Sequence, residues 1–239
     1  MREPLPTVLI PGLLCTPRLY AEQIPALWRF GAVTVADHTR DDSMSGIARR
    51  ILAQAPPKFA LIALSMGGYV ALELQRQAPE RVAKLALLDT TARPDAPEQT
   101  EARKRQIEMA RSGRFDGVAQ LLFPRFVAAA RHDDRALQAA VRTMAEDTGP
   151  DAFIRQQTAI MNRADSRPGL KAIRCPTLVL VGADDTLTPP DRAAEMMAAI
   201  PGARQVIVPA CGHLSPLEQP QAVTEALVAF FDHTFVTSA

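Results

Sequence analysis

The sequence has no surplus of charge of either sign. Its 239 residues carry 27 lysines and arginines against 26 aspartates and glutamates, a formal net charge of +1. Binding driven by phosphate neutralisation normally shows a basic excess, so a nucleic acid is not the expected partner. Cysteine is scarce as well. Cys15, Cys175 and Cys211 are odd in number and far apart, which excludes a disulfide framework and a zinc site. They read as reduced thiols, and the expected location is cytoplasmic. No apolar run approaches the roughly 18 residues of a membrane span. The stretch Met1 to Pro6 lacks the apolar core of a signal peptide. Internal repeats and low-complexity tails are also missing.

What remains is an ordinary globular composition, 47% hydrophobic and 22% charged, at a length that suits one α/β domain with a real core. Short runs rich in Val, Leu and Ile stand at Thr7 to Ile10, Ala32 to Ala36, Phe59 to Leu64, Lys84 to Asp89, Thr177 to Gly182 and Arg204 to Pro209. They are apolar without alternation, as strands of a parallel sheet covered on both faces must be. Helix-like stretches lie between them, at Arg18 to Phe30, Ser45 to Gln54, Met66 to Gln77, Asp191 to Ile200 and Gln221 to Phe231. The alternation predicts a doubly wound α/β fold with a mostly or wholly parallel sheet of about six strands flanked by helices. Only six residues precede the first strand, so no leading hairpin is expected and the second strand should form the edge beside the first.

One interval breaks the pattern. Between about Arg93 and Pro168 no strand is evident, and helical segments near Glu98–Arg111, Phe115–Ala130, Asp134–Glu146 and Asp151–Arg163 are separated by Gly113, Gly117, Pro124, Gly149-Pro150 and Pro168-Gly169. The expected organisation is a core of residues 1–92 and 169–239 with a helical insertion at 93–168.

The sharpest motif is Ala63-Leu64-Ser65-Met66-Gly67-Gly68. A buried strand runs straight into a helix, and a serine at such a turn is held in a strained backbone with its hydroxyl at the C-terminal edge of the sheet. The N–H of Met66 then stands at a helix N-terminus, where a developing oxyanion is favoured. A serine hydroxyl needs a base. Of His38, His132, His213 and His233, only His213 follows the last strand, with Gly212 letting the chain turn. His38 sits in a polar loop and reads as solvated; His132 and His233 read as surface residues. The base needs an orienting acid. Asp185, its neighbour Asp184, and Asp89 after the fourth strand all occupy that edge, and turn capping competes as an explanation for each.

With these segments the sequence resembles the α/β-hydrolase serine hydrolases, near their carboxylesterase and carrier-protein methyl-esterase branch. The resemblance rests on Ile10-Pro11-Gly12-Leu13-Leu14, Ala63 to Gly68, Gly182-Ala183-Asp184-Asp185-Thr186-Leu187-Thr188-Pro189 and Gly212-His213-Leu214-Ser215-Pro216-Leu217-Glu218-Gln219-Pro220. It implies a catalytic triad in the order Ser65, Asp185, His213. It also implies an oxyanion hole from the backbone N–H groups of Leu13 and Met66, although Pro11-Gly12 replaces the usual His-Gly and Ala63 the usual glycine. The implied reaction is hydrolysis of a carboxylic ester through an acyl-enzyme, with no cofactor and no metal. The insertion becomes a lid, and Leu14, Leu122, Phe123, Phe126, Phe153, Leu187 and Leu214 become the expected pocket for a small to medium, mainly apolar acyl group.

The expected partner is a small-molecule ester, with a carrier-protein-linked acyl group as a further candidate. Arg103-Lys104-Arg105 with Arg111 and Arg114 could attract such a carrier, but interleaved Glu101 and Glu108 favour a self-paired solvated face. Arg163 or Asp165, at the end of the insertion, could bend toward the cleft. Cys15 and Cys211 fall in loops bordering the site and read as small buried thiols. The same three residues could serve a C–C bond hydrolase, an enol-lactonase or a perhydrolase, and a non-catalytic receptor could keep this scaffold. Relatives of the first two kinds place polar groups for a second carboxylate, and no spacing in the sequence locates such groups.

Overall fold

The structure, a computed structural model, describes residues 3–232; His233 lies outside them. Six strands form one sheet: β1 (Thr7–Ile10), β2 (Val33–Val35), β3 (Phe59–Leu64), β4 (Val82–Leu88), β5 (Thr177–Gly182) and β6 (Arg204–Val208), in the order β2-β1-β3-β4-β5-β6. Every neighbouring pair is parallel, and β2 is the edge strand beside β1. Strands β1, β3 and β5 are buried at every residue, which explains their unbroken apolar sequence: a strand covered on both faces has no solvent side to mark.

The helices among the described residues are α1 (Ile24–Trp28), α2 (Met44–Gln54), α3 (Met66–Gln77), α4 (Pro97–Arg111), α5 (Asp116–Phe126), α6 (Arg135–Met161), α7 (Pro190–Ala199), α8 (Ser215–Glu218) and α9 (Pro220–Asp232). The stretch Arg18 to Phe30 is not the single helix its pattern suggests. It divides into a 3-10 turn at Pro17–Tyr20 and the five-residue α1. Pro25 has no N–H to give and its ring would clash with a preceding carbonyl, so it is tolerated only in the first turn of a helix, and α1 starts there. Helix α3 is buried through nine of its twelve residues because it packs against β1, β3 and β4 at the middle of the sheet. No helix among the described residues is long and apolar enough to cross a membrane.

Helices α4, α5 and α6 lie between β4 and β5 and pack on one another. Helix α6 is broken at Gly149, whose φ of 75° is left-handed, and Pro150 opens the second arm. The proline removes a helical donor and the glycine accepts the turn without steric cost. Buried polar groups tie the insertion together: Gln157 Nε2 donates to Gln106 Oε1 at 2.6 Å, and Arg103 donates to Gln157 Oε1 at 2.8 Å. In a parallel sheet all strand C-termini share one edge, so the loops after β1, β3, β4, β5 and β6 meet there beneath the insertion.

Candidate active site

Ser65 stands between β3 and α3 with φ 54° and ψ −114°. A non-glycine residue at positive φ costs about 1–3 kcal/mol and persists only where its surroundings hold it. Here its N–H donates to the Leu88 carbonyl at 2.9 Å, and its own carbonyl accepts from Gly68 N and Thr90 Oγ1, both at 2.8 Å. Gly67 is required two residues on: a Cβ there would run into the carbonyl oxygens of Ile10 and Pro11. Ser65 Oγ lies 2.8 Å from His213 Nε2, and His213 Nδ1 lies 2.8 Å from Asp185 Oδ2.

Of the three acids at this edge, Asp185 is the one that reaches the imidazole. Asp184 is exposed. Asp89 is fully buried at φ 44°, where it accepts from Gly182 N at 2.9 Å and from Ser215 Oγ. Asp185 is fixed on every side. Its Oδ1 accepts from Leu187 N at 2.8 Å and Thr188 N at 3.1 Å, and its Oδ2 accepts from Thr188 Oγ1 at 2.7 Å. With both oxygens so engaged, the proton between Asp185 and His213 belongs on Nδ1, which leaves Nε2 to accept the Ser65 hydroxyl.

Burial acts to raise the Asp185 pKa, but the His213 charge and the bonds from His213 and Thr188 outweigh it and hold the carboxyl below its ordinary value. For His213 the balance runs the other way. Burial favours the neutral ring, yet the Asp185 charge and hydrogen bond, with smaller help from Asp89 and Glu218, raise its pKa above 6.5. Asp89 is raised well above the carboxylate range by burial and by the like charge of Asp185.

The loop after β1 follows the same logic. Leu14 has φ 59°, and its N–H donates to Gln156 Oε1 on α6 at 3.2 Å. Neither Leu13 N–H nor Met66 N–H donates to another group among the described residues. His38 is not solvated as its polar loop suggests. It is buried, with Nε2 2.9 Å from the Gly12 carbonyl and 3.2 Å from Gln156 Nε2. The loop over this region folds inward because α6 offers it a polar partner, and burial lowers the His38 pKa below its usual value. In the loop before His213, the left-handed residue is Ala210 at φ 49° rather than Gly212. Gly212 is needed instead for close approach, since a Cβ there would strike the backbone of Val127 and Ala128. Glu218 clamps that contact, accepting from Ala128 N at 2.8 Å and Gly212 N at 3.0 Å.

Ser65 and His213 open into a cavity of about 380 Å³. Its apolar wall includes Leu13, Leu122, Phe126, Ile160 and Leu187, and the Phe126 ring stacks on the imidazole with centroids 6.2 Å apart. Leu14, Phe123, Phe153 and Leu214 do not line it. Leu122 and Phe126 are four apart on α5 and share one face; Phe123 falls on another and is buried in the core. Phe153 packs on Phe115, and Leu14 and Leu214 are 1% exposed beneath the loops.

The remaining wall is basic: Arg93, Arg103, Arg125, Arg163 and Arg192 all line the cavity. Arg163 turns inward, whereas Asp165 pairs outside with Arg167 at 2.6 Å. Of the basic run on α4, Lys104 pairs with Glu101 on the surface at 2.7 Å while Arg103 faces in. Cys15 and Cys211 are buried; burial pushes the Cys15 thiol to about 12 and raises Cys211 as well.

The parallel sheet beneath these residues agrees with comparison to known proteins. The model of the alpha/beta hydrolase family matches residues 8–226. The chain belongs to that family. Among its relatives is the pimeloyl-[acyl-carrier protein] methyl ester esterase of Edwardsiella ictaluri, 26% identical over 231 residues, which covers 94% of this chain and 86% of that protein. A thermophilic esterase from Thermogutta terrifontis superposes with a TM-score of 0.86 at 31% identity, covering 95% of this chain and 89% of its own. The enol-lactonase from Burkholderia xenovorans LB400 gives 0.87 at 25% identity, covering 97% and 93%. This alpha/beta hydrolase is therefore an enzyme of hydrolysis, and cleavage of an ester is consistent with its relatives.

Thr90, Gln156, Thr188 and Glu218 are the supporting residues that sequence reasoning missed. Gln156 carries no signal, since a glutamine on a helix is usually solvated. Glu218 carries one: it stands in the Gly212 to Pro220 segment on which the resemblance rests.

Proposed function

We propose that this alpha/beta hydrolase cleaves carboxylic esters through an acyl-enzyme on Ser65. His213 Nε2 takes the hydroxyl proton as Ser65 Oγ attacks the ester carbonyl. The N–H groups of Leu13 and Met66 receive the oxyanion of the tetrahedral intermediate; one such donor contributes about 3 kcal/mol to transition-state stability. Imidazolium then returns its proton to the leaving alcohol. Water, activated by the same ring, hydrolyses the acyl-enzyme. Asp185 holds the ring tautomer and stabilises the imidazolium without taking the proton. The observation that carries this reading is the unbroken run of 2.8 Å contacts from Ser65 Oγ through His213 to Asp185.

Residues 93–168 act as a lid in this reading, with Leu122, Phe126 and Leu187 receiving an acyl chain of small to medium size. The methyl-esterase relatives favour a carrier-protein-linked ester as one source of that chain. Three unpaired cysteines suit a cytoplasmic enzyme. Opening of an enol-lactone is the second reading, favoured by the likeness to the Burkholderia enzyme; a lactone is an internal ester and needs the same steps. A panel of p-nitrophenyl esters of rising chain length tests the proposal. Turnover that peaks at a short or medium chain and disappears in Ser65→Ala supports it. A Ser65→Ala protein that keeps wild-type turnover refutes it, and a wild-type protein that only binds the esters is a receptor.

A further inference from the structure

Five guanidiniums share a wall with Ser65 and His213, and no aspartate or glutamate lines that wall. The carboxylates that answer the arginines stand behind it. Asp95, whose side chain is wholly buried, accepts from Arg103 Nε at 2.7 Å and from Arg163 Nη1 at 2.6 Å. Glu195 accepts from Arg93 Nε and Nη2, both at 2.9 Å. Asp191 lies 3.3 Å from Arg192 Nη1. Arg125 has no ion pair or side-chain hydrogen bond among the described residues. Three carboxylates against five guanidiniums leave two positive charges unanswered.

The arrangement is also held in place. Arg163 Nε donates to the Arg93 carbonyl at 3.0 Å, and its guanidinium lies 4.2 Å over the ring of Tyr69, one turn along α3 from Ser65. Arg163 Nη2 and Arg93 Nη1 remain without a protein acceptor among the described residues. Arg103 and Arg163 are largely buried, their side chains 19% and 6% exposed, and desolvating guanidinium groups is costly unless charge and hydrogen bonds compensate. A wall meant only for an apolar chain would be served by Leu or Met at these positions. Low-dielectric walls lined by one sign of charge concentrate the opposite charge, and guanidinium binds carboxylate and phosphate through the same fork of donors.

We infer that the ester substrate carries an oxyanion, a carboxylate or a phosphate, which the arginine wall binds while Ser65 attacks the ester carbonyl. The inference rests on the ester-hydrolase reading. Leu122, Phe126 and Leu187 cover the apolar stem between the two polar ends of such a substrate.

Three methyl esters of matched length test it: methyl hexanoate, monomethyl adipate and methyl 5-phosphonopentanoate. At low salt, kcat/KM for at least one anionic ester is expected to exceed that for methyl hexanoate by about tenfold or more. The better anion identifies the source. Added salt should erode the preference, and Arg125→Gln or Arg192→Gln should reduce it several-fold. Arg142→Gln, on an exposed lid arginine away from the cavity, should leave it unchanged. Methyl hexanoate turned over as well as both anionic esters would overturn the inference. If none of the three is hydrolysed, the ester-hydrolase reading fails, and calorimetry on Ser65→Ala decides the wall alone. Adipate binding that neutral adipamide does not reproduce supports it; equal binding, or none by either, overturns it.

Discussion

The N–H of Leu14 has one buried acceptor, Gln156 Oε1 at 3.2 Å, and the neighbouring N–H of Leu13 is the proposed oxyanion donor. Gln156 is itself fully buried, so Gln156→Met keeps most of the volume and removes the acceptor, together with the 3.2 Å contact from Gln156 Nε2 to His38 Nε2. The Leu14 N–H would then be stranded at a cost of about 1–3 kcal/mol. The loop can recover that cost by abandoning the left-handed conformation of Leu14, which itself stores about 1–3 kcal/mol. Either movement turns the Leu13 N–H away from the oxyanion, where a full donor contributes about 3 kcal/mol. The expected loss in kcat is thus between roughly fivefold and 150-fold, with a small change in KM, because the donor acts on the transition state and not on the bound ester. Steady-state kinetics on a p-nitrophenyl ester, with a thermal melt alongside, read this directly. A Gln156→Met protein that melts earlier but retains its full kcat would refute the reasoning and leave Gln156 a packing residue.

Further consequences follow from the charges and the clamp. Protonated His213 cannot accept the serine proton and its pKa is raised, so kcat/KM should rise with pH through an inflection above 6.5. Asp185→Asn removes the charge and the hydrogen bond that do most to raise it and should lower kcat and move that inflection to lower pH; a residual pH profile that does not move contradicts the assignment. Glu218→Leu strands the N–H groups of Ala128 and Gly212, a loss of about 3 kcal/mol. For a chain of this size that is a fall of roughly 6–12 °C in melting temperature, read by calorimetry. Cys15 and Cys211 should resist a water-soluble thiol reagent in the native protein and react only on unfolding, whereas half-buried Cys175 reacts first; modification followed by peptide mapping checks the order.

The sheet was legible because strands buried on both faces leave a signature that survives without any partner in view. Ser65 was legible for a similar reason: a strand, a tight turn and a helix lie within ten residues, and Gly67 marks where two backbones touch. The residues alone left the acid open among Asp89, Asp184 and Asp185, and the resemblance pointed to Asp185; the side-chain directions that separate them depend on β5 and β6 lying side by side. The cavity was harder to read. Arg103 looks like a surface charge in sequence and nothing there chooses between Arg163 and Asp165, because it is the buried Asp95 side chain that holds both arginines inward. His38 shows the same limit, since the helix that covers it lies more than a hundred residues further along the chain.

The central claim is that the His213–Asp185 pair makes the Ser65 hydroxyl nucleophilic. Labelling with a fluorophosphonate, followed by intact mass and peptide mapping, tests it most directly. The account predicts one adduct per chain, carried on Ser65 and lost in His213→Ala. A native protein that takes no label, or takes it on another residue, would contradict it.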